Sequence, residues 1–143
     1  MAQAFGKLIL FGEHAVVHGQ PAIAVPFRAV SVKVTSQITT NGGIRIVSDQ
    51  TLEELPISDE RLSQALRVPI ELALRHFQID TIPNIVFHIH STIPMASGFG
   101  SGAALSTALI RSLAEAIGKN IDHETLNTLV YEVEKLHHGT PSG

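Results

Sequence analysis

The stretch from Pro94 to Ala108, PMASGFGSGAALSTA, constrains the function of this chain more than any other. Its glycines Gly98, Gly100 and Gly102 can adopt positive φ angles and let the backbone approach a ligand closely. A helix-forming run follows at once, so the unpaired N–H groups and positive dipole end of that helix face the loop. This arrangement predicts an anion site suited to a phosphate chain. The alternative is an ordinary glycine turn before a helix, and no lysine follows the last glycine as in a Walker loop.

The composition indicates one globular domain that carries little positive charge. The chain has 143 residues, 44% of them hydrophobic, and a formal net charge of -3. A domain of this size buries about two-thirds of its unfolded surface. Because the balance is acidic and no lysine–arginine cluster is present, nucleic acid is not expected as the main partner. A phosphate ligand would be held mainly by backbone amides, a few cations and a metal ion.

Cysteine is absent, which excludes a disulfide framework and a thiolate metal site. An apolar run at Leu8–Phe11 is interrupted by Glu13 and His14 too soon for a signal peptide or a membrane span. We therefore expect a cytoplasmic protein with no membrane partner.

Hydropathy patterning predicts an α+β sandwich in which helices cover one face of a mixed sheet. Strands are predicted over residues 5–11, 15–17, 22–25, 27–40, 44–47 and 85–89. Helices are predicted over 59–77, after an N-cap at Ser58, over 101–117 and from 123 onward. The sequence Asn41-Gly42-Gly43 predicts a hairpin with 44–47 as its return strand. Pro69 predicts a kink or the start of a second helix. Asp122 is the expected N-cap of the last helix, whose core stripe would be Leu126, Leu129, Val130, Val133 and Leu136.

Two further segments carry side chains suited to chemistry. The first strand and the turn after it carry a cation, a carboxylate and an imidazole, namely Lys7, Glu13 and His14. The alternative is that these residues belong to a solvent-exposed turn with no chemical role. In the last helix Glu134 and His138 are four residues apart and share one face. A carboxylate near a phosphate loop is what Mg²⁺ needs. The alternative is a solvent-exposed pair, and no HExxH motif supports a histidine zinc site.

Three segments resemble, in chain order, the three signatures of the GHMP kinases, the superfamily of galactokinases, homoserine kinases, mevalonate kinases and phosphomevalonate kinases. Residues 6–22, GKLILFGEHAVVHGQPA, are similar to the N-terminal motif of mevalonate kinases in particular. Residues 94–108 resemble the superfamily's phosphate loop. Residues 134–143, EKLHHGTPSG, resemble the helix and turn that lead into the catalytic aspartate. The resemblance implies the GHMP-kinase N-terminal domain, a ribosomal-protein-like α/β sandwich.

The resemblance also implies a reaction, namely ATP-dependent phosphorylation of mevalonate to 5-phosphomevalonate in isoprenoid biosynthesis, with ATP and Mg²⁺. Lys7 would be catalytic, neutralising charge near the transferring phosphoryl group. Glu13 and His14 would line the mevalonate pocket, and Glu134 and Ser101 would hold Mg²⁺. The residues that would wrap the ATP phosphates are Pro94, Ala96, Ser97, Gly98, Phe99, Gly100, Ser101, Gly102 and Ala103. Positioning and charge stabilisation do most of the work in phosphoryl transfer.

The chain departs from the family pattern in two places. Gly102 stands where the family usually has a second serine that contacts Mg²⁺, so Ser101, water or Glu134 would have to substitute. In the family the catalytic aspartate shortly follows the Pro-Ser-Gly turn, which here occupies the last three residues. Residues 1–143 are therefore expected to be the N-terminal ATP-binding domain without that aspartate and the C-terminal domain. The C-terminal half would complete the enzyme in cis or in trans, and the full-length enzyme could form a homodimer. Residues 1–143 alone would have negligible kinase activity.

Two other functions stay open from the sequence. One is a sister GHMP kinase that acts on phosphomevalonate or on another hydroxyl. The other is a non-catalytic binding domain, for example for RNA, which would need a basic face with stacking aromatics. The aromatic content of 5% and the negative charge argue against the second.

Overall fold

The described residues form one mixed sheet of five strands with three α-helices packed against it. The computed structural model describes residues 1–49, 53–94 and 97–138. The elements are β1 (Ala2–Phe11), β2 (Ile23–Ile38), β3 (Ile44–Ser48), β4 (Leu55–Pro56), α1 (Gln64–His76), β5 (Ile85–Ser91), α2 (Ser101–Ala116) and α3 (His123–His138). The strand order is β1-β2-β5-β3-β4, with β3 parallel to β5 and the other neighbours antiparallel. The predicted α+β class is confirmed. Across the described ranges, no helix is long and apolar enough to cross a bilayer.

The sheet has one buried and one wet face because apolar and polar residues alternate along its strands. On β5, Ile85, Phe87 and Ile89 are buried, whereas His88 and His90 are exposed on the opposite face as predicted. The buried face continues through the inward residues of β2 and β3, namely Val32, Val34, Ile44 and Ile46. The helices therefore cover that face alone.

Helix α2 occupies the centre of the domain. It packs against β1 and β2 on one side and against α1 and α3 at its flanks. Ala108, Leu109, Ile110 and Leu113 are fully buried. Because α2 begins directly after the glycine loop, this packing fixes where the N-terminal end of the helix stands.

The predicted hairpin at 41–43 is wrong, because β5 lies between β2 and β3 in the sheet. Gly42 and Gly43 do turn the chain with φ of 93° and 64°. The turn is bound to the start of β5, however: the Gly43 N–H donates to Oδ1 of Asn84 at 2.8 Å, and the Ile85 N–H donates to the Gly43 carbonyl. The turn residues suggested that β2 and β3 pair with each other, but β5, which begins just after Asn84 and so about 40 residues further along the chain, lies between them.

Other boundaries also differ from the predictions. The segment predicted as a strand at 15–17 holds a turn and a 3-10 helix at Val16–His18, since the Ala15 and Val16 N–H groups donate to the Gly12 carbonyl. The strands predicted at 22–25 and 27–40 form one strand, β2. Helix α1 begins only at Gln64 and continues through Pro69 as a single helix.

Helix α3 begins at the predicted cap. Oδ1 of Asp122 accepts from the Thr125 N–H at 2.8 Å, and Oδ2 accepts from the Thr125 hydroxyl at 2.9 Å. The backbone hydrogen bond is the main reason that the pKa of Asp122 lies below its ordinary value. The predicted stripe is buried at Leu126, Val130 and Val133, but Leu136 is 65% exposed. Glu134 lies against Gly102, at the first turn of α2. Leu136 follows Glu134 along α3 and so extends past the N-terminal end of α2, which leaves Leu136 uncovered.

The edge strand β1 anchors the glycine loop. Its pairing with β2 shifts between Phe5 and Gly6, where the register skips residues 28–30 of β2. Next to the shift, the Lys7 N–H donates to the Phe99 carbonyl at 2.9 Å. The Phe99 ring also packs on Phe27, with centroids 5.0 Å apart.

Gly6 makes this close approach possible. An ideal Cβ there would lie 2.9 Å from Cγ2 of Val30 and 3.2 Å from the Phe99 carbonyl oxygen. Contacts this short force a neighbour to move, and the carbonyl belongs to the backbone of the loop itself.

Replacing Gly6 by alanine is expected to push the loop away from β1. We expect a loss of about 1–3 kcal/mol in the free energy of unfolding, typical of overpacking. Hydrogen exchange at the Lys7 amide should accelerate relative to the rest of β1, because its acceptor is displaced. The control is Gly19→Ala, which meets no neighbour within 4 Å and strains only a left-handed turn. Unchanged exchange at Lys7 in Gly6→Ala would contradict the anchoring role.

Replacing Asp122 by alanine is expected to lower the Tm by a few degrees at pH 7, because α3 loses its cap. The pKa of Asp122 is lowered in the folded protein, so its stabilisation is fully present above the unfolded pKa of about 3.9. It is lost as the pH falls through the lower folded pKa. The Tm difference from wild type should therefore shrink below about pH 4. Asp80→Ala, at an exposed aspartate before β5, is the control, and a difference constant with pH would contradict this account.

Candidate functional site

Helix α2 begins directly after the glycine loop and has no side-chain cap. Gly98 and Gly100 have φ of +75° and +67°, and Gly100 is the N-cap of the helix. The Ala104 N–H donates to the Gly100 carbonyl at 3.0 Å. The preceding N–H groups, those of residues 101–103, have no intrahelical acceptor by the geometry of a helix start. At the other side of the loop the Ser97 hydroxyl donates to the Pro94 carbonyl at 2.7 Å, and Ala96 lies outside the described residues.

Lys7 lies directly against the N-cap of α2. An ideal Cβ on Gly100 would lie 3.0 Å from Cγ of Lys7 and 3.5 Å from its Cδ and Cε. The aliphatic stem of the lysine thus runs past Gly100. A cationic side chain and the positive end of a helix dipole therefore share one corner of the domain, which favours an anion there.

Glu134 approaches the same helix start from α3. Its Oε1 atom lies 2.8 Å from the position of an ideal Cβ on Gly102. This oxygen is buried, and it has no hydrogen-bond partner among the described residues. A buried carboxylate oxygen without a partner is unfavourable, so it calls for a donor or a cation.

The arrangement fits a divalent cation that is shared with a phosphate ligand. Mg²⁺ is usually bound through one or two carboxylates and completed by phosphate oxygens and water. In the parts of the chain that the structure describes, no three acidic or histidine side chains converge on one point. Glu134 supplies a carboxylate of the right kind, and Ser101, the other predicted ligand, is the first residue of α2.

Glu13 and His14 lie in the turn that follows β1. The His14 side chain is 98% exposed, and its Nε2 is 3.9 Å from Oε1 of Glu13, which is a weak contact. The strand runs about 13 Å beyond Lys7 before this turn begins. The described contacts do not bring the pair to the glycine loop, and its substrate role stays a prediction.

A cavity of about 270 Å³ opens beside the start of α2. Ser101 and Gly102 line one end of it, and its apolar wall includes Leu66, Ile89 and Leu105. Sequence reasoning missed this cavity because its walls come from α1, α2, β3 and β5, which are distant in the chain. Its polar edge includes Ser91 and Asp49, whose Oδ2 lies 2.6 Å from Nδ1 of His90.

Two grooves reach the same corner from the other side of α2. One lies between α2 and α3 and is lined by Arg111, Tyr131 and Glu134 among others. The second lies between α2 and the β1–β2 pair, and both Lys7 and Gly100 line it. The start of α2 is thus open to ligands on both sides.

Known proteins resemble this chain in sequence and in fold. The family described as GHMP kinases N terminal domain matches residues 61–143, which include the glycine loop and all three α-helices. The mevalonate kinase of Pyrococcus horikoshii is 32% identical over 158 aligned positions, covering the whole chain and 46% of that protein. The chain thus spans about half the length of the curated relatives it matches.

Solved structures share the fold. The crystal structure of Methanococcus jannaschii mevalonate kinase superposes with a TM-score of 0.84 at 24% identity, covering 96% of this chain and 46% of that chain. L. major mevalonate kinase in complex with R-mevalonate gives a TM-score of 0.76 at 26% identity, covering 98% of this chain and 43% of that chain. Since the family match extends over more than half of the sequence, the chain belongs to the GHMP kinases, as an N-terminal domain of that family.

Proposed function

We propose that this chain is the ATP-binding N-terminal part of an enzyme that phosphorylates mevalonate to 5-phosphomevalonate. The observation that carries the proposal is Oε1 of Glu134, which is buried at the start of α2 without a hydrogen-bond partner among the described residues, while the stem of Lys7 lies along Gly100 at the same helix start. Relatives named mevalonate kinase along the whole chain support the substrate. The L. major enzyme, whose structure contains R-mevalonate, supports it as well.

The phosphates of ATP would bind at the start of α2. The N–H groups of Ser101, Gly102 and Ala103, which have no acceptor within the helix, are suitable donors, and the helix dipole adds a favourable field. The apolar wall of the adjoining cavity would pack on the adenine ring, because ligand pockets are mostly apolar with a few polar groups that fix orientation. Asp49 and Ser91 at its edge are suitable partners for the sugar or base.

Glu134 and Ser101 would hold Mg²⁺ at the phosphates. When bound, the ion neutralises negative charge on the phosphate oxygens. Lys7 would bind the transferring phosphoryl group and stabilise the charge that develops on it. Its stem is held along Gly100, so the ammonium group is directed from a fixed base rather than from a mobile loop.

The remaining roles lie outside the glycine loop. Glu13 and His14 would line the mevalonate pocket, at the end of the strand that carries Lys7. A base that accepts the proton of the mevalonate hydroxyl would come from a further part of the enzyme, in cis or in trans. The proposal is consistent with a chain that spans 46% of its P. horikoshii relative. A cytoplasmic location and a homodimer of the whole enzyme stay predictions.

Replacing Glu134 by glutamine is expected to weaken binding of Mg²⁺ with a non-hydrolysable ATP analogue by about tenfold or more. The fold should persist, because glutamine has the same shape and removes the negative charge from a side chain whose Oε1 is buried without a partner among the described residues. Isothermal titration with AMPPNP in the presence and absence of Mg²⁺ measures the effect. The control is Glu132→Gln on the same helix, where the carboxylate is paired with Lys135 at 2.6 Å. Equal affinities in wild type and Glu134→Gln would refute a metal role for Glu134.

The acceptor is tested with the full-length enzyme that contains this domain. We expect kcat/KM for mevalonate to exceed that for phosphomevalonate or galactose by about 100-fold, since polar sites reject acceptors that leave their groups unpaired. A coupled ADP-release assay with the three acceptors measures this. Preference for phosphomevalonate would instead establish the sister activity. No transfer to any of the three would leave only a nucleotide-binding domain.

A further inference from the structure

The backbone conformation at Gly102 does not require a glycine. It is the second residue of α2, and unlike Gly98 and Gly100 it does not have a positive φ. Glycine is less favourable than alanine within a helix, because it loses more conformational freedom on folding. A cause for glycine at this position must therefore lie outside the helix backbone.

The cause is on α3. A Cβ on Gly102 would lie 2.8 Å from Oε1 of Glu134, 3.7 Å from its Cδ and 3.9 Å from its Oε2. Real Cβ atoms essentially never come within 3.0 Å of a heavy atom. The Glu134 carboxylate thus occupies space that any side chain at position 102 would need.

Two glycines that flank α2 show the opposite situation. Gly98 and Gly118 have left-handed φ angles, and an ideal Cβ on either would meet nothing within 4 Å. Their backbone conformation explains them. Gly102 has an ordinary backbone and an obstructed Cβ, which points to the contact with Glu134 as its reason.

We propose that Gly102 is a positioning residue for the divalent cation. Its missing side chain lets Glu134 place a carboxylate oxygen against the first turn of α2, beside the amides that face the phosphates. This inference rests on the metal role proposed for Glu134 and adds what determines the position of the carboxylate. Gly102 therefore contributes to the metal site by its small size and is not a neutral replacement for a larger residue.

The inference separates metal binding from stability. The atom that would meet a new Cβ is the end of a flexible side chain, so Glu134 can rotate away at little cost to the fold. Alanine is also the better helix former. A side chain at position 102 should therefore weaken the metal site while leaving the Tm unchanged or raised.

The first test is Gly102→Ala in the 143-residue chain. Mn²⁺ is titrated in the presence of saturating AMPPNP, and free Mn²⁺ is followed by electron paramagnetic resonance. We expect about tenfold weaker Mn²⁺ binding, the size typical when the support of a metal ligand is lost. The control is Gly118→Ala, the same change at the other end of α2, which should leave Mn²⁺ binding unaltered. A crystal structure of Gly102→Ala should show Oε1 of Glu134 displaced from the helix.

The second test is a double-mutant cycle with Glu134→Asp. The shorter aspartate withdraws the carboxylate by one methylene and so no longer meets a Cβ at position 102. Glu134→Asp alone should weaken Mn²⁺ binding, and adding Gly102→Ala should weaken it little further. Fully additive losses would show that Gly102 acts through something other than Glu134 and would overturn the inference.

Glu134→Gln in the same assay separates this inference from the proposed function. If Glu134→Gln weakens Mn²⁺ binding and Gly102→Ala does not, the metal role of Glu134 stands and the positioning role of Gly102 is refuted. If the wild-type chain shows no nucleotide-dependent Mn²⁺ binding, or Glu134→Gln binds like wild type, both are refuted.

Discussion

The burial of α2 is the constraint on which the rest of the structure depends. The helix packs on β1 and β2 and is flanked by α1 and α3, with residues such as Leu109 and Leu113 fully buried. A close-packed interior of this kind transmits displacement rather than absorbing it. The uncapped N-terminal end of α2 is therefore a fixed point in the domain. Lys7 from β1 and Glu134 from α3 are both placed relative to that point.

The start of α2 contains several features that lower the stability of the folded domain. The start of α2 has a glycine N-cap that offers no side-chain acceptor, and Gly102 weakens the first turn. Oε1 of Glu134 is buried without a partner among the described residues. By contrast, α3 begins with a fully formed Asp122 cap. A side-chain cap would normally accept hydrogen bonds from the N–H groups of the first helical turn, and here no such cap is present where a ligand is proposed to bind. Functional sites are expected to depart in this way from the features that stabilise a helix.

The sequence predicted those features that depend on neighbouring residues. The glycine loop followed by a helix, the Asp122 cap and the alternation along β5 all follow from contacts a few residues apart. The hairpin at 41–43 failed because β5, distant in the chain, pairs with both β2 and β3. The cavity beside α2 was missed for the same reason. Gly102 was understood only as a departure from a family pattern, since its contact with Glu134 spans 32 residues of sequence and requires the packing of α2 against α3.

The charges at this corner also imply how its ligands depend on one another. Without a cation, the carboxylate of Glu134 and the phosphates of a nucleotide would repel each other at the same helix start, partly shielded from water. A divalent cation between them converts that repulsion into attraction on both sides. Nucleotide and cation should therefore each strengthen the binding of the other by the same factor, since coupling between two ligands is reciprocal. The Lys7 stem lies along Gly100 and the Glu134 carboxylate lies against Gly102, so both side chains contact the start of α2. The proposed site is thus one that accepts nucleotide and metal as a unit.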